Sequence, residues 1–180
     1  LLHYACMSVL DFVDQIHRYS VDEYRDLVEL GAFEDQRVEL IDGLILDMSP
    51  KSPRHEHAVT WLLNEWIART LDLSRHHVRV SSSLRLATSS PEPDLAIVGH
   101  DLGPGQPRSA ALVVEVALSS RERDLTIKPR LYAPAVAEYW VLDLSTDQMV
   151  VHRNPGPDGY GDITTHGRDT ELRPGYAALG

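Results

Sequence analysis

The sequence contains little cysteine and no long apolar run. Cys6 is the single cysteine among 180 residues, so an internal disulfide framework is excluded. No apolar stretch approaches the roughly 20 residues that a membrane-spanning helix needs, and no apolar signal segment with a basic front end is found. We therefore expect a water-soluble, cytoplasmic protein that works in a reducing environment.

Positive charge is also scarce. The chain has 17 Lys and Arg residues against 27 Asp and Glu residues, a formal net charge of −10 and a sequence pI of about 5.3. This balance argues against a broad basic surface of the kind that holds nucleic acid. Basic residues do cluster at Arg121, Arg123, Lys128 and Arg130. Any surface that binds phosphate is therefore predicted to be local.

Several motifs that carry chemistry in other proteins are missing. The sequence has no glycine-rich phosphate loop, no zinc-ligand spacing, no nucleophile elbow and no internal repeat. Apolar residues make up 43% and charged residues 24%, as in ordinary globular domains. We predict one domain over residues 20–180 after an N-terminal extension at 1–19, in which Met7 is the expected native start and residues 1–6 are an addition.

Local signals predict the first elements. Ser20 and Glu23 form a capping-box pattern, which predicts a helix over residues 20–30. The dipeptide Asp42-Gly43 between two apolar runs predicts a hairpin with a type I′ turn. A second helix is predicted in SPRHEHAVTWLLNEWIARTL, where a serine cap precedes a proline at the first helical position. These elements lie ahead of the main sheet.

Apolar runs predict the strands of that sheet. The predicted strands are residues 77–80, 84–87, 94–98 and 111–117, then EYWVLDL, QMVVHR and GYGDITTHG, with the turn NPGPDG between the last two. Segment 111–117 is apolar throughout except for one acid, which is typical of a central strand covered on both faces. The segment GHDLGPGQPRSA is predicted to be a surface loop, and DLTIKPRLYAPAV a helix interrupted by Pro129 and Pro134.

Three acidic residues lie within these apolar segments. Asp94 begins one run, Glu115 stands inside the next, and Glu39 lies on the predicted hairpin. Unpaired carboxylates buried in strands are strongly unfavourable, and carboxylate oxygens are the ligands that Mg²⁺ and Mn²⁺ prefer. We therefore predict a site for Mg²⁺ (or Mn²⁺) at Asp94 and Glu115, with Glu39 as a third ligand.

This site predicts hydrolysis of phosphodiesters. A cation held there lowers the pKa of its bound water and neutralises charge that develops on a phosphoryl oxygen. Lys128 is the nearest lysine that follows Glu115, and its ammonium can stabilise the transition state or position the attacking water. The predicted catalytic set is Glu39, Asp94, Glu115 and Lys128.

Five stretches occur in a fixed order along the chain: RVELIDGLILDMSP, SPEPDLAIV, LVVEVALSS, RDLTIKPRLYA and AEYWVLDL. Together they resemble the Uma-two (Uma2) family of restriction endonucleases, a branch of the PD-(D/E)XK nuclease superfamily. The likeness runs from about residue 20 to residue 153. It implies a restriction-endonuclease-like α/β core: a mixed central β-sheet flanked by helices, with an N-terminal helix and β-hairpin.

The resemblance also implies roles for individual residues. Pro93 and Asp94 match the "PD" of the superfamily name, so Asp94 and Glu115 are implied as metal ligands and Glu39 as a supporting acid. The superfamily motif places a lysine where this chain has Ala117, and family members look similar in using a lysine on the following helix, here Lys128. The family usually has a helix-compatible residue where this chain has proline, directly after Lys128, which affects how that lysine is aimed.

Simpler interpretations of the acidic residues and the lysine remain open at this point. Asp94 can serve as a strand-entry residue that binds nearby amides, and Glu115 can pair with an arginine such as Arg85 or Arg130. The strand of Glu39 can have a solvated face, and Lys128 can be a surface lysine.

Three further residues are candidates for contact with phosphate or a metal, or for support of the site. His55 and His57 lie two apart on a helix and do not share a face; the family likeness favours His57 as the inward-facing one. Asp124 matches an acidic position of the family, although its plainest role is to cap the helix that carries Lys128.

The leading hypothesis is a metal-dependent endonuclease that acts on DNA as a homodimer. The first alternative is an inactive nuclease-fold module for nucleic-acid or protein interaction, suggested by Ala117, the proline after Lys128 and the acidic composition. A second alternative is a hydrolase of RNA or small phosphoesters, which does not require a long basic groove.

Overall fold

A six-stranded mixed sheet forms the centre of the fold, with strand order β3-β4-β5-β6-β7-β8. The computed structural model describes residues 15–71, 74–99 and 105–175. The strands of the sheet are β3 (His76–Val80), β4 (Leu95–Gly99), β5 (Ala110–Ala117), β6 (Val136–Asp143), β7 (Gln148–Gly156) and β8 (Gly159–His166). All neighbours are antiparallel except β5 and β6, which are parallel. The expected α/β class with a mixed central sheet is confirmed.

Strand β5 is central, as its apolar sequence predicts. It lies between β4 and β6, and every residue except Ala111 is buried. Leu112, Val114 and Val116 pack on one face of the sheet, and Val113 and Ala117 on the other. The sheet is therefore covered on both sides, and a charged residue in β5 must find its partners inside the protein.

The N-terminal helix and hairpin form as predicted. Helix α1 (Val21–Glu29) begins after Ser20, which makes the complete capping box with Glu23. Strands β1 (Val38–Ile41) and β2 (Leu44–Asp47) form the hairpin. Both turn residues have positive φ, +47° and +76°, as a type I′ turn requires.

The second helical region begins at its predicted cap but contains an unpredicted irregularity. Helix α2 (Pro53–Trp61) follows the serine cap, continues as a π-helical segment (Leu62–Ile67) and ends in the short helix α3 (Ala68–Thr70). Trp66, in the π-helical segment, packs 5.2 Å from Trp140 of the sheet between ring centroids. No helix in the described part of the chain is long and apolar enough to cross a membrane.

The connection from β5 to β6 carries the predicted broken helix. Helices α4 (Arg121–Thr126) and α5 (Lys128–Tyr132) are separated by Ile127. The proline after Lys128 lies in the first turn of α5, where the missing backbone N–H has no partner to lose. Pro134 follows the end of α5, so both prolines mark helix boundaries.

Two predictions of local structure need correction. Residues 84–87 are not a strand, because their amides bond to nearby loop carbonyls, such as Leu84 N to Pro91 O at 3.0 Å. Strand β7 continues through Gly156, so the turn is shorter than NPGPDG and consists of Pro157 and Asp158. Of the predicted glycine-rich loop, residues 100–104 lie outside the described residues, as do residues 1–14 of the N-terminal extension.

Candidate active site

Asp94 and Glu115 are adjacent across two strands of the sheet. Asp94 directly precedes β4, and the antiparallel pairing of Leu95 with Val114 places it opposite Glu115. The Asp94 amide donates to Glu115 Oε2 at 3.3 Å, and the Val116 amide donates to Asp94 Oδ2 at 2.9 Å. Both side chains are buried. The structure therefore brings together the two carboxylates that the sequence singles out.

Two basic side chains contact the Asp94 carboxylate. His55 Nε2 lies 3.0 Å from Oδ2, and Lys51 Nζ lies 3.3 Å from Oδ1. Burial on its own would raise the pKa of Asp94, but the hydrogen bonds from His55 and the Val116 amide and the charge of Lys51 outweigh it and lower the pKa. Asp94 is thus held as a carboxylate, and the simple strand-entry role does not account for its contacts.

Glu115 is in a less favourable environment for charge. Its Oε1 accepts hydrogen bonds from Lys128 Nζ at 2.8 Å and from the Tyr132 hydroxyl at 3.1 Å. Burial, together with the charges of Asp124 and Asp94, raises its pKa to about 8 in spite of the lysine. A cation bound at this carboxylate would favour its ionised form. Neither Arg85, which pairs with Asp22, nor Arg130 is its partner.

Lys128 is enclosed by carboxylates. Its ammonium lies 2.8 Å from Glu115 Oε1, 3.1 Å from Asp124 Oδ1 and 3.9 Å from Glu39 Oε2. Burial opposes the charged form, but these three carboxylates raise the pKa of Lys128. Its side chain is only 4% exposed, so the surface-lysine interpretation is wrong.

Glu39 is buried beside the same lysine. It is 1% exposed, so its strand has no solvated face at this position. Arg123 Nη1 lies 3.4 Å from its Oε1, yet neither carboxylate oxygen of Glu39 accepts a hydrogen bond within the described residues. Glu39 therefore retains free acceptor capacity next to the other two carboxylates.

The two histidines have the opposite arrangement to the one predicted. His57 is exposed and borders a separate apolar cavity near Trp61, so the prediction that it faces inward is wrong. His55 is the inward-facing histidine, because residues two apart on a helix point in nearly opposite directions. The family likeness indicated a histidine here but not the correct one.

Asp124 does not cap a helix. It lies within α4, is buried and accepts a hydrogen bond from the Ser120 hydroxyl at 2.5 Å. Its partner Lys128 is four residues later, the spacing at which side chains meet on a helix surface. Asp124 is therefore a supporting member of the lysine cluster, and the capping interpretation is wrong.

Two contacts of the site were not predicted from the sequence. Tyr132 is four residues after Lys128, a spacing from which its position beside that lysine follows. Lys51 lies in the irregular segment between β2 and α2, and no local pattern indicates where its side chain points. Tyr132 is also fully buried in the core.

Asp94, Glu115 and Lys128 line a small cavity of about 70 Å³. Its charged lining consists of the carboxylates Glu39, Glu92, Asp94 and Glu115 and the cations Arg37, Lys51, Arg123 and Lys128. The carboxylates therefore face a comparable number of basic groups, although the whole chain is strongly acidic. The cavity is therefore close to balanced in charge.

The donor set of the cavity suits a hard divalent cation. No group of three or more His, Cys, Asp or Glu side chains in the described part of the chain is arranged to hold a metal. Mg²⁺, however, usually binds through one or two carboxylates and keeps several waters or substrate oxygens. Asp94 and Glu115 supply two adjacent carboxylates, and Glu39 has oxygens without a hydrogen bond. These residues fit Mg²⁺ or Mn²⁺ in that partly hydrated form.

Comparisons with known proteins point to nucleases. A family model named Uma2 and described as "Putative restriction endonuclease" matches residues 21–178. Among solved structures, the chain is similar to a crystal structure titled as a putative nuclease belonging to DUF820 from Anabaena variabilis. The two share 13% identity and a TM-score of 0.64, over 89% of this chain and 92% of that one. No curated protein matches. At this identity the structural likeness shows the fold alone.

Proposed function

The chain belongs to the Uma2 family, and we propose that it is a divalent-metal-dependent endonuclease that hydrolyses phosphodiester bonds in DNA. One observation carries the proposal: Asp94 and Glu115 are buried side by side, and the Asp94 amide donates a hydrogen bond to Glu115 Oε2. Each carboxylate contacts a lysine, and a divalent cation bound to both would further offset the repulsion between them. Metal-dependent hydrolysis of phosphodiesters uses paired carboxylates of this kind.

The chain's own residues prepare the site. His55 and the Val116 amide orient Asp94, while Lys128 and Tyr132 orient Glu115. Mg²⁺, when bound, supplies a water of lowered pKa and neutralises charge on the phosphoryl oxygens. We propose Asp94 and Glu115 as its ligands and Glu39 as a third, supporting acid.

The role of Lys128 follows from its enclosure. Because its ammonium contacts Glu115 and Asp124 and lies near Glu39, we propose that it holds these carboxylates in place. The sequence-based prediction that Lys128 itself acts on the phosphate stays a prediction, and the 4% exposure of the side chain does not favour it.

A second candidate function is a nuclease-fold module without catalysis. It is favoured by the combination of Ala117, where the superfamily motif has lysine, with the enclosed position of Lys128. Such a module binds nucleic acid or protein but turns over no phosphodiester, whichever divalent cation is supplied.

A substrate panel separates these functions. Duplex DNA, single-stranded DNA, RNA and a chromogenic phosphodiester are each incubated with the wild-type protein and Mg²⁺ or Mn²⁺, alongside Asp94→Asn, Glu115→Gln and the surface control Asp147→Asn. We expect cleavage of duplex DNA that is lost in both site variants and retained in the control. If neither wild type nor control cleaves any substrate, the result supports the module without catalysis. Preferential cleavage of RNA or of the chromogenic ester would show that DNA is not the preferred substrate.

We also propose that the active form is a homodimer. Endonucleases that cut both strands of a duplex need two active sites or two successive cuts, and a symmetric pair is the simplest way to supply two sites. Light scattering coupled to size-exclusion chromatography measures the mass in solution. A mass of one chain, about 20.2 kDa, contradicts the dimer.

A further inference from the structure

Lys51 is the more accessible of the two lysines that line the cavity. Its ammonium lies 3.3 Å from Asp94 Oδ1 and donates a hydrogen bond to the Ser81 hydroxyl at 2.6 Å. The side chain is 23% exposed, against 4% for Lys128. Lys51 therefore reaches both the buried carboxylate and the open side of the cavity.

The local backbone is arranged around this contact. Ser81 has a φ of +45°, in the left-handed region that a residue with a side chain seldom adopts. Its amide donates to the backbone oxygen of Asp94 at 3.1 Å, while its hydroxyl holds Lys51. Strained residues of this kind concentrate at functional sites. Ser81 thus holds the Lys51 ammonium beside Asp94, although Lys51 is far from both residues in sequence.

Lys128 is poorly suited to meet a substrate. Its ammonium is shared by Glu115 and Asp124 at 2.8 and 3.1 Å, and moving it would leave both buried carboxylates without a counter-charge. Breaking a buried ion pair in this way is strongly unfavourable. Moving the Lys51 ammonium is less unfavourable, because it contacts one carboxylate and Asp94 keeps its hydrogen bonds from His55 and the Val116 amide.

We propose that Lys51 is the lysine that binds the substrate phosphate. Its ion pair with Asp94 lasts only until a divalent cation binds to that carboxylate. The inference rests on the proposed function. A cation at Asp94 repels an ammonium a few ångströms away, and the exposed part of the Lys51 side chain lets it turn towards an incoming phosphodiester. The ammonium exchanges a carboxylate partner for a phosphate partner, and the cation takes its place at Asp94.

The first arm of the test measures cation affinity without any substrate. Mn²⁺ is titrated by calorimetry into wild type, Lys51→Met, Lys51→Arg and the control Arg54→Met. Arg54 lies three residues away and pairs with Asp147 outside the cavity. Removing the competing charge should tighten Mn²⁺ binding about tenfold or more in Lys51→Met, whereas Lys51→Arg and Arg54→Met should stay near wild type.

The second arm measures the phosphate contact directly. A short DNA duplex is titrated into the same four proteins at several salt concentrations with Ca²⁺ as the divalent cation, and a gel run afterwards verifies that the strands remain intact. Loss of one phosphate contact should weaken binding of the duplex and reduce the slope of log K against log salt by about one. Lys51→Arg should restore most of the slope, and Arg54→Met should keep it.

The two arms distinguish failure of this inference from failure of the proposed function. If wild type binds the duplex and Lys51→Met shows an unchanged slope, Lys51 does not bind the phosphate and the inference is overturned. If wild type binds no duplex, the proposed function fails, and the Mn²⁺ arm still decides whether Lys51 competes at Asp94. Tighter Mn²⁺ binding then supports that competition, and unchanged Mn²⁺ binding in Lys51→Met overturns it.

Discussion

The ammonium of Lys128 lies 2.8 Å from Oε1 of Glu115, thirteen residues earlier in the chain and on a different element. The contact links the first turn of α5 to the centre of the sheet, and it places a positive charge among three buried carboxylates. It also means that the lysine and the proposed metal ligand depend on each other.

Replacing Lys128 by methionine should destabilise the protein more than removing an ordinary surface charge. The variant leaves Glu115 and Asp124 buried without a counter-charge, which typically costs about 3–5 kcal/mol. Urea unfolding of wild type and Lys128→Met at neutral pH without metal measures the difference. The double variant with Glu115→Gln should lose less than the sum of the two single changes, and strict additivity would contradict the coupling.

The two histidines of α2 allow a matched comparison of variants that tests the proposed cation site. His55→Ala removes a hydrogen bond to Asp94, and changes at such supporting partners typically lower metal affinity by about 10–100-fold. His57→Ala, two residues away and exposed, should leave it unchanged. Calorimetric titration of Mn²⁺ into both variants makes the comparison. Equal affinity in the two would show that His55 does not support the site.

The proline that follows Lys128 should have little influence on the site. It lies in the first turn of α5, where its missing amide has no acceptor to lose, so Pro129→Ala is expected to change the free energy of unfolding by less than about 1 kcal/mol. Mn²⁺ affinity should be unaffected. A large loss of affinity in Pro129→Ala would instead show that the proline itself aims the lysine.

Asp143, which lies outside the site, should make the free energy of unfolding depend on pH. Burial opposes its charge, but hydrogen bonds from Ser145 and Arg121 outweigh this and lower its pKa to about 2. Because the folded-state pKa is below the unfolded value, the stabilisation is fully present above about pH 3.8 and is lost as the pH falls through 2. Asp143→Asn should therefore cost about 1 kcal/mol at pH 6 and less than half of that near pH 2.5, measured by urea unfolding. A difference that is constant with pH would contradict the assignment.

The sequence predicts the sheet and the pair Asp94 and Glu115 well, for a physical reason. An acid in an apolar β-branched strand is conspicuous, and the antiparallel pairing of β4 with β5 then brings the two acids together. The hairpin and α1 are also predictable, because capping boxes and Asp-Gly turns depend on local chemistry alone.

Other parts of the site depend on packing that no local pattern encodes. Lys51 and Ser81 meet only because an irregular segment after β2 lies against the end of β3. The choice between His55 and His57 depends on the rotation of α2 about its axis, which the sheet determines. Residues 84–87 look like a strand in sequence, yet their amides find partners in the neighbouring loop.

The most direct test of the account is calorimetric titration of Mg²⁺ and Mn²⁺ into the wild-type protein, Asp94→Ala, Glu115→Ala and the surface control Asp147→Ala, with circular dichroism to verify the fold of each. The account predicts that wild type and control bind a cation with the same affinity and that both site variants lose it. Unchanged binding in either folded site variant, or no binding to wild type, would contradict a cation site built on these two carboxylates.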